Sequence, residues 1–230
     1  MKYLVTGTGR CGSVYMARLL TSLGYMCGHE AIFDYTELEM AKLRLKGNLP
    51  LTSSPTSRGE GWFVPEKMVA ESSYMAAPFL EDVCLDNVKV IHIVRNPLEV
   101  ISSHHLDIRF FQKTNDLIEY KKFVAKYLPG LSAIENPLEL ACYYYVHWNK
   151  MIEDKTKNKT YFFHRVEDKC SQKLLDFLEI ETIPSGVFTD DKVNSWRKRK
   201  KNVQIKDIPN GEIKKELIQT MKRYGYIVPL

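Results

Sequence analysis

The sequence predicts an α/β protein, a single domain with a central parallel sheet flanked by helices. Three observations predict it. Short apolar, β-prone runs alternate along the chain with runs whose apolar residues recur at helical spacing. Two of the strands stop abruptly at turns rich in anion-binding groups that lead straight into helices. No repeat or composition shift breaks the alternation, so residues 1–230 read as one domain.

The strands are expected at 2–6, 25–28, 68–72, 89–94 and 160–164. Residues 3–6 show the type: short and apolar, as a strand buried on both faces should be. The helices are expected at 13–23, 34–46, 97–105, 116–127, 137–153, 171–178 and 211–224. The first closes at Gly24, a C-cap residue free to turn left-handed. Residues 47–62, rich in Gly, Ser and Pro, read as a long loop. Residues 104–136 carry Phe110, Phe111, Tyr120, Phe123 and Tyr127. Because ligands of such sheets bind beyond the carboxyl ends of the strands, both stretches are expected to cap an acceptor pocket.

Composition narrows the class. Hydrophobic residues make up 44% and charged ones 27%, ordinary for a globular domain. No apolar run is long enough to span a bilayer, so no membrane insertion is expected. The chain opens directly into a strand, with no signal-peptide pattern. Cys11, Cys27, Cys84, Cys142 and Cys170 are scattered, with neither metal-ligand nor disulfide-framework spacing. This predicts a reducing, cytoplasmic setting and no metal. Residues 150–230 hold 18 Lys/Arg against 12 Asp/Glu, and residues 1–149 hold 15 against 16. The excess includes WRKRKK at 196–201, either a solvated basic loop or a loop over an anion. One run without an aromatic platform is a poor nucleic-acid footprint, so no nucleic-acid partner is expected.

The chemistry lies in two segments. KYLVTGTGRCGS at 2–13 ends a strand at Gly7, Gly9, Arg10, Gly12 and Ser13. VKVIHIVRNPLEVISS at 88–103 ends a strand at Arg95, with Ser103 eight residues on. Glycines let backbone come close to a ligand. A helix start presents free N–H groups and the positive end of a dipole. Arg10 adds a charge with a planar fork of donors. Two such turns suggest a ligand with two separated anionic groups.

Three familiar motifs compete for the first turn. Gly7, Gly9 and Gly12 fit the dinucleotide fingerprint, with Glu30 about where a ribose-binding acid stands, ~20 residues on. That reading leaves Arg10 and Arg95 unexplained. The phosphate-loop motif needs a Lys, where Cys11-Gly12-Ser13 stands. A cysteine phosphatase would need an Arg where Ala17 lies; Arg18 comes one residue late.

What remains resembles the sulfotransferases that use 3′-phosphoadenosine 5′-phosphosulfate. Their first loop reads roughly [KR]-[ST]-G-[ST]-[TS], here Arg10-Cys11-Gly12-Ser13-Val14. Their second, R-x-P-x-x-x-x-x-S, is matched by Arg95, Pro97 and Ser103. Gly28-His29-Glu30, ESSYMAAPFL at 71–80, ACYYYVHWNKMIE at 141–153, YFFHRVED at 161–168 and KRYGY at 222–226 look like bacterial-type members. Cys11 and Val14 replace usual hydroxyl residues, and Ser72 stands at the place of a KS motif without its Lys.

The resemblance implies a phosphate-loop-like fold and in-line sulfuryl transfer to a hydroxyl or amine, without metal. Gly9, Arg10, Cys11, Gly12, Ser13 and Val14 would hold the donor's sulfate end, and Arg95 and Ser103 its 3′-phosphate. A late basic loop with Arg197 and Lys198 would close over that phosphate. The catalytic group would comprise Arg10, which stabilises developing charge, and Glu30 as general base, with His29 next and Glu71 and His104 behind it. The acceptor would be a small molecule, glycan or lipid. A phosphate-loop kinase and a nicotinamide oxidoreductase remain as alternatives. His92, within an apolar strand, and Tyr143–Tyr145 with Trp148 read as core.

Overall fold

The computed structural model describes residues 1–35, 37–52, 68–107, 118–187 and 202–229. Two compact units divide the chain, Met1–Val94 with Ile152–Trp196 and Arg95–Met151 with Arg197–Leu230.

The first unit holds a five-stranded, all-parallel sheet. Its strands are β1 (Tyr3–Thr6), β2 (Cys27–His29), β3 (Ala70–Ser72), β4 (Lys89–Val94) and β5 (Tyr161–Arg165). Their order is β2-β3-β1-β4-β5, with Tyr3 in register with both Ala70 and Lys89. All five expected strands form, and the sheet is the predicted α/β type. The chain leaves β1 toward β2 on one side and β4 toward β5 on the other. The switch point therefore falls between the neighbouring carboxyl ends of β1 and β4, where an open α/β sheet binds ligands.

Burial explains the order. Tyr3, Leu4 and Val5 are fully buried, and each such side chain contributes about 1.5–3 kcal/mol. Tyr3 and Val5 pack with Tyr15, Met16, Leu19 and Leu20 of α1 (Ser13–Ser22) and Leu174, Leu175 and Leu178 of a later helix (Gln172–Leu178). Helix α1 stops where predicted. Gly24, at φ 91°, lets its own N–H bond Thr21 and the Tyr25 N–H bond Leu20, a Schellman turn.

Helix α2 (Leu38–Leu45) starts four residues later than the sequence suggests. Asp34 is held by Arg44 at 2.9 Å, and the Tyr35 hydroxyl by that of Tyr74 at 2.8 Å. Tertiary contacts thus take the residues that would have been its first turn. After β3 comes a 3-10 helix, Tyr74–Phe79, opened by Ser73 capping the Met75 N–H and containing Pro78. It is too short for a periodic pattern to reveal. His92 is the satisfied core histidine expected, fully buried with Nδ1 2.8 Å from the Tyr161 hydroxyl.

The second unit is helical. Its elements include α3 (Pro97–Ser102), α4 (Ile118–Tyr127), α5 (Pro137–Lys155) as far as Met151, and, after α6 (Gln172–Leu178) of the first unit, α7 (Glu212–Arg223). The expected 97–105 helix is α3 continued by a π-helical turn, Ser103–Asp107. Buried Tyr144, Tyr145 and Trp148 form core, as predicted, while Tyr143 is half-buried. His104 is fully buried too, edge-on to Tyr144 and facing Tyr120.

Among the described residues no helix is long and apolar enough to cross a membrane. The core of the 47–62 loop, Phe110, Phe111 and the whole WRKRKK run with Arg197 and Lys198 lie outside the described residues.

Candidate active site

Strand β1 ends at Thr6, and the next seven residues form the first anion turn. Gly7 passes so close to β4 that a Cβ would meet the Ile93 carbonyl and the Cys11 sulfur. Arg10 and Gly12 are both left-handed, at φ 69° and 104°. That double reversal throws Gly12 into the N-cap position of α1, which has no side-chain cap. Helix geometry leaves the first-turn N–H groups without intrahelical acceptors, and Gly12 has no side chain with which to cap them. The turn thus supplies backbone donors, the dipole and Arg10 together. Cys11 and Val14 turn their side chains into the core, so whatever they offer a ligand comes from the backbone.

Strands β2 and β3 bring the predicted acid–base groups to this helix start. The Ser13 hydroxyl lies 2.9 Å from His29 Nε2, and the Ser72 hydroxyl donates to the Ser13 carbonyl at 2.8 Å. His29 Nε2 is 3.8 Å from Glu30 Oε1. Although that spacing suits an ion pair, burial pushes the His29 imidazole down to about 3, so it is neutral near pH 7. Glu30 is in the left-handed region, φ 52°, with its side chain 15% exposed. Burial, then the charge of Glu71, raise its carboxyl to about 8, against the opposing pull of Arg10. At that value the carboxyl largely keeps its proton near pH 7, and its ionised form is the stronger base for being raised.

Sequence reasoning ranks Glu71 only as a fallback base. It is fully buried, and its Oε1 accepts the N–H groups of Ala31 and Ile32 at 2.7 and 3.0 Å. Its geometry is that of a clamp on the turn after β2. His104, the other fallback, is equally buried in its aromatic cluster.

In the second unit Arg95 begins the second motif. Its carbonyl accepts from the Tyr145 hydroxyl at 3.1 Å, and its guanidinium bonds Glu99 at 2.5 Å. Asn96 caps α3, accepting from the Leu98 N–H at 3.0 Å. Ser103 is buried at the start of the π-helical turn. The Glu99 tether is absent from the sequence reading, yet its i,i+4 spacing from Arg95 is a readable signal. Among the described residues no cluster of three His, Cys, Asp or Glu side chains is placed to hold a metal.

No family model matches the chain, and no curated protein is significantly similar to it. Among solved structures, the chain is similar to the crystal structure of a sulfotransferase from Alicyclobacillus acidocaldarius. The identity is 16% and the TM-score 0.44, over 80% of this chain and 83% of that one.

Proposed function

We propose that this chain is a sulfotransferase that moves a sulfuryl group from 3′-phosphoadenosine 5′-phosphosulfate to a hydroxyl or amine. The observation that carries the reading is the convergence of a helix start without a side-chain cap, Ser13, neutral His29 and the buried Glu30 carboxyl within one unit. Helix-start N–H groups and Arg10 would bind the sulfate end and stabilise charge on its oxygens as the bond to the leaving phosphate breaks. Glu30, in its ionised form, would take the acceptor proton as the new S–O or S–N bond forms. His29 holds Ser13 and stands ready as the neighbouring base. Arg95 and Ser103 would carry the donor's 3′-phosphate.

The fully cytoplasmic setting, the absence of metal and the small-molecule, glycan or lipid acceptor belong to the same proposal. Calorimetry with 3′-phosphoadenosine 5′-phosphate, ATP and NAD tests it. Binding of the first alone is expected. Preference for ATP with magnesium would establish the kinase reading instead, and preference for NAD the oxidoreductase.

A further inference from the structure

Glu71 sits in the middle of β3, between Gly28 of β2 and Leu4 of β1. Its Oε1 makes the two backbone bonds described above, while its Oε2 is buried with no hydrogen-bond partner. The neighbouring strand is cut away for it. A Cβ on Gly28 would collide with Glu71 Oε2 and with the Met68 sulfur. The turn it clamps holds Glu30 in its left-handed conformation, which is strained for a residue with a Cβ.

Other groups fasten the same turn. The Glu30 N–H donates to the Ser72 carbonyl, and the Thr52 hydroxyl to the Glu30 carbonyl. Arg44 donates to the Ile32 carbonyl and the Ser73 hydroxyl to that of Phe33. Among these fasteners Glu71 is the acid. An amide would make the same two bonds through its oxygen without the desolvation cost of a buried carboxylate. The feature that demands a role is therefore the charge, and the turn that it clamps carries Glu30.

We propose that Glu71 is a positioning residue for Glu30: its buried carboxylate clamps the left-handed turn that carries Glu30 and acts on the Glu30 carboxyl from within the core. The groups facing Glu30 are Glu71, which raises its proton affinity, Arg10, which lowers it, neutral His29, and the phenol of Tyr35. Those facing Glu71 are Glu30, the Cys27 thiol and the Arg44 guanidinium. Burial raises Glu71 itself to about 7, and its backbone bonds and Arg44 hold it from rising further. A stronger conjugate acid–base match to an alcohol is what a general base gains from such a neighbour. The catalytic meaning rests on the reading of Glu30 as the base; the coupling itself does not.

The test is a pH titration of the Glu30 δ-carbon by NMR in 13C-glutamate protein, the peak assigned through its loss in Glu30→Gln. In Glu71→Gln the Glu30 midpoint should fall by about one pH unit or more, with affinity for 3′-phosphoadenosine 5′-phosphate retained. A folded Glu71→Gln with an unmoved midpoint would overturn the proposal, since a purely structural clamp changes only stability. Where Glu71→Gln does not fold, the reciprocal measurement decides. Coupling is symmetric, so Glu30→Gln must lower the Glu71 midpoint by the same amount, and no shift overturns the proposal. Turnover is read separately. Coupled titrations with unchanged turnover in Glu30→Gln would sink the base reading alone; lost turnover with uncoupled titrations would sink the Glu71 proposal alone.

Discussion

The two anion motifs follow neighbouring strands but are built from opposite materials. The first is backbone. Gly7, left-handed Arg10 and left-handed Gly12 bend the chain so that α1 opens with no side-chain cap. The second is side chain. Asn96 already caps α3, and the guanidinium of Arg95 is already engaged by Glu99. The first turn is therefore preorganised and its donors cost nothing to arrange when charge develops. To take the proposed 3′-phosphate, the second would exchange one carboxylate partner for another anion. Under the proposed function, chemistry would fall to the first and recognition to the second.

The sharpest way to test the chemical half is Glu30→Gln, measured on an acceptor found by screening with labelled donor. Shape and hydrogen bonding are kept, but the group cannot accept a proton. Turnover should fall by roughly 10²–10⁴-fold, while donor affinity stays close to normal. Normal turnover at saturation would remove Glu30 from the mechanism and pass its role to His29.

On the recognition half, Arg95→Ala should weaken binding of 3′-phosphoadenosine 5′-phosphate by about 1.5–3 kcal/mol, the range for a hydrogen bond to a charged group. Adenosine 5′-phosphosulfate, which lacks the 3′-phosphate, should lose far less. Equal losses for the two ligands, read by calorimetry, would break the assignment.

The backbone half can be broken without touching a charge. In Gly7→Ala the new Cβ meets the Ile93 carbonyl, which belongs to the sheet and cannot move aside. Forced overpacking of this kind costs about 1–3 kcal/mol, so the melting temperature should drop and donor binding should weaken with it. A variant as stable as the parent would show that the turn is less tightly set than its geometry indicates.

Much of this contrast is legible in the sequence, and the reason is local. Glycine spacing at 7, 9 and 12 and the apolar runs before each turn are short-range signals for β1 and β4, and short apolar runs mark the other three strands likewise. What escapes is long-range. Nothing in Ala70-Glu71-Ser72 announces that Glu71 clamps a turn 40 residues earlier. The late start of α2 has the same origin, since Asp34 and Tyr35 are claimed by Arg44 and Tyr74 across the fold. The Glu99 tether is different: it was available at i,i+4 and is missed only by reading Arg95 as a ligand group first.

The buried carboxyls also leave a mark on stability. Glu30 rises from an ordinary 4.5 to about 8 on folding. Between those values the folded state binds more protons than the unfolded one, so stability falls as pH rises through the window. His29 and His164, lowered by burial to about 3 and about 4, act oppositely and cost stability as pH falls below about 6.5. The histidines are common to the parent and Glu30→Gln, so their contribution cancels in a comparison. The variant's advantage in melting temperature should grow from pH 5 to pH 9. A constant difference would mean that Glu30 ionises normally in the folded protein.

The smallest expected effect separates competition from orientation at the second motif. Glu99 and Arg95 are half-exposed, and a helix pair at i,i+4 of this kind is worth only about 0.3–0.5 kcal/mol. If Glu99 merely occupies the guanidinium until an anion arrives, Glu99→Gln frees Arg95 and should tighten 3′-phosphoadenosine 5′-phosphate binding by about twofold, the equivalent of that energy. The gain should shrink with added salt, because a screened pair competes less. The Tyr145 hydroxyl holds the Arg95 main chain either way, so the backbone does not depend on Glu99. Weaker binding in Glu99→Gln would reverse the interpretation. Glu99 would then aim the guanidinium rather than compete for it, and the second motif would be as preorganised as the first.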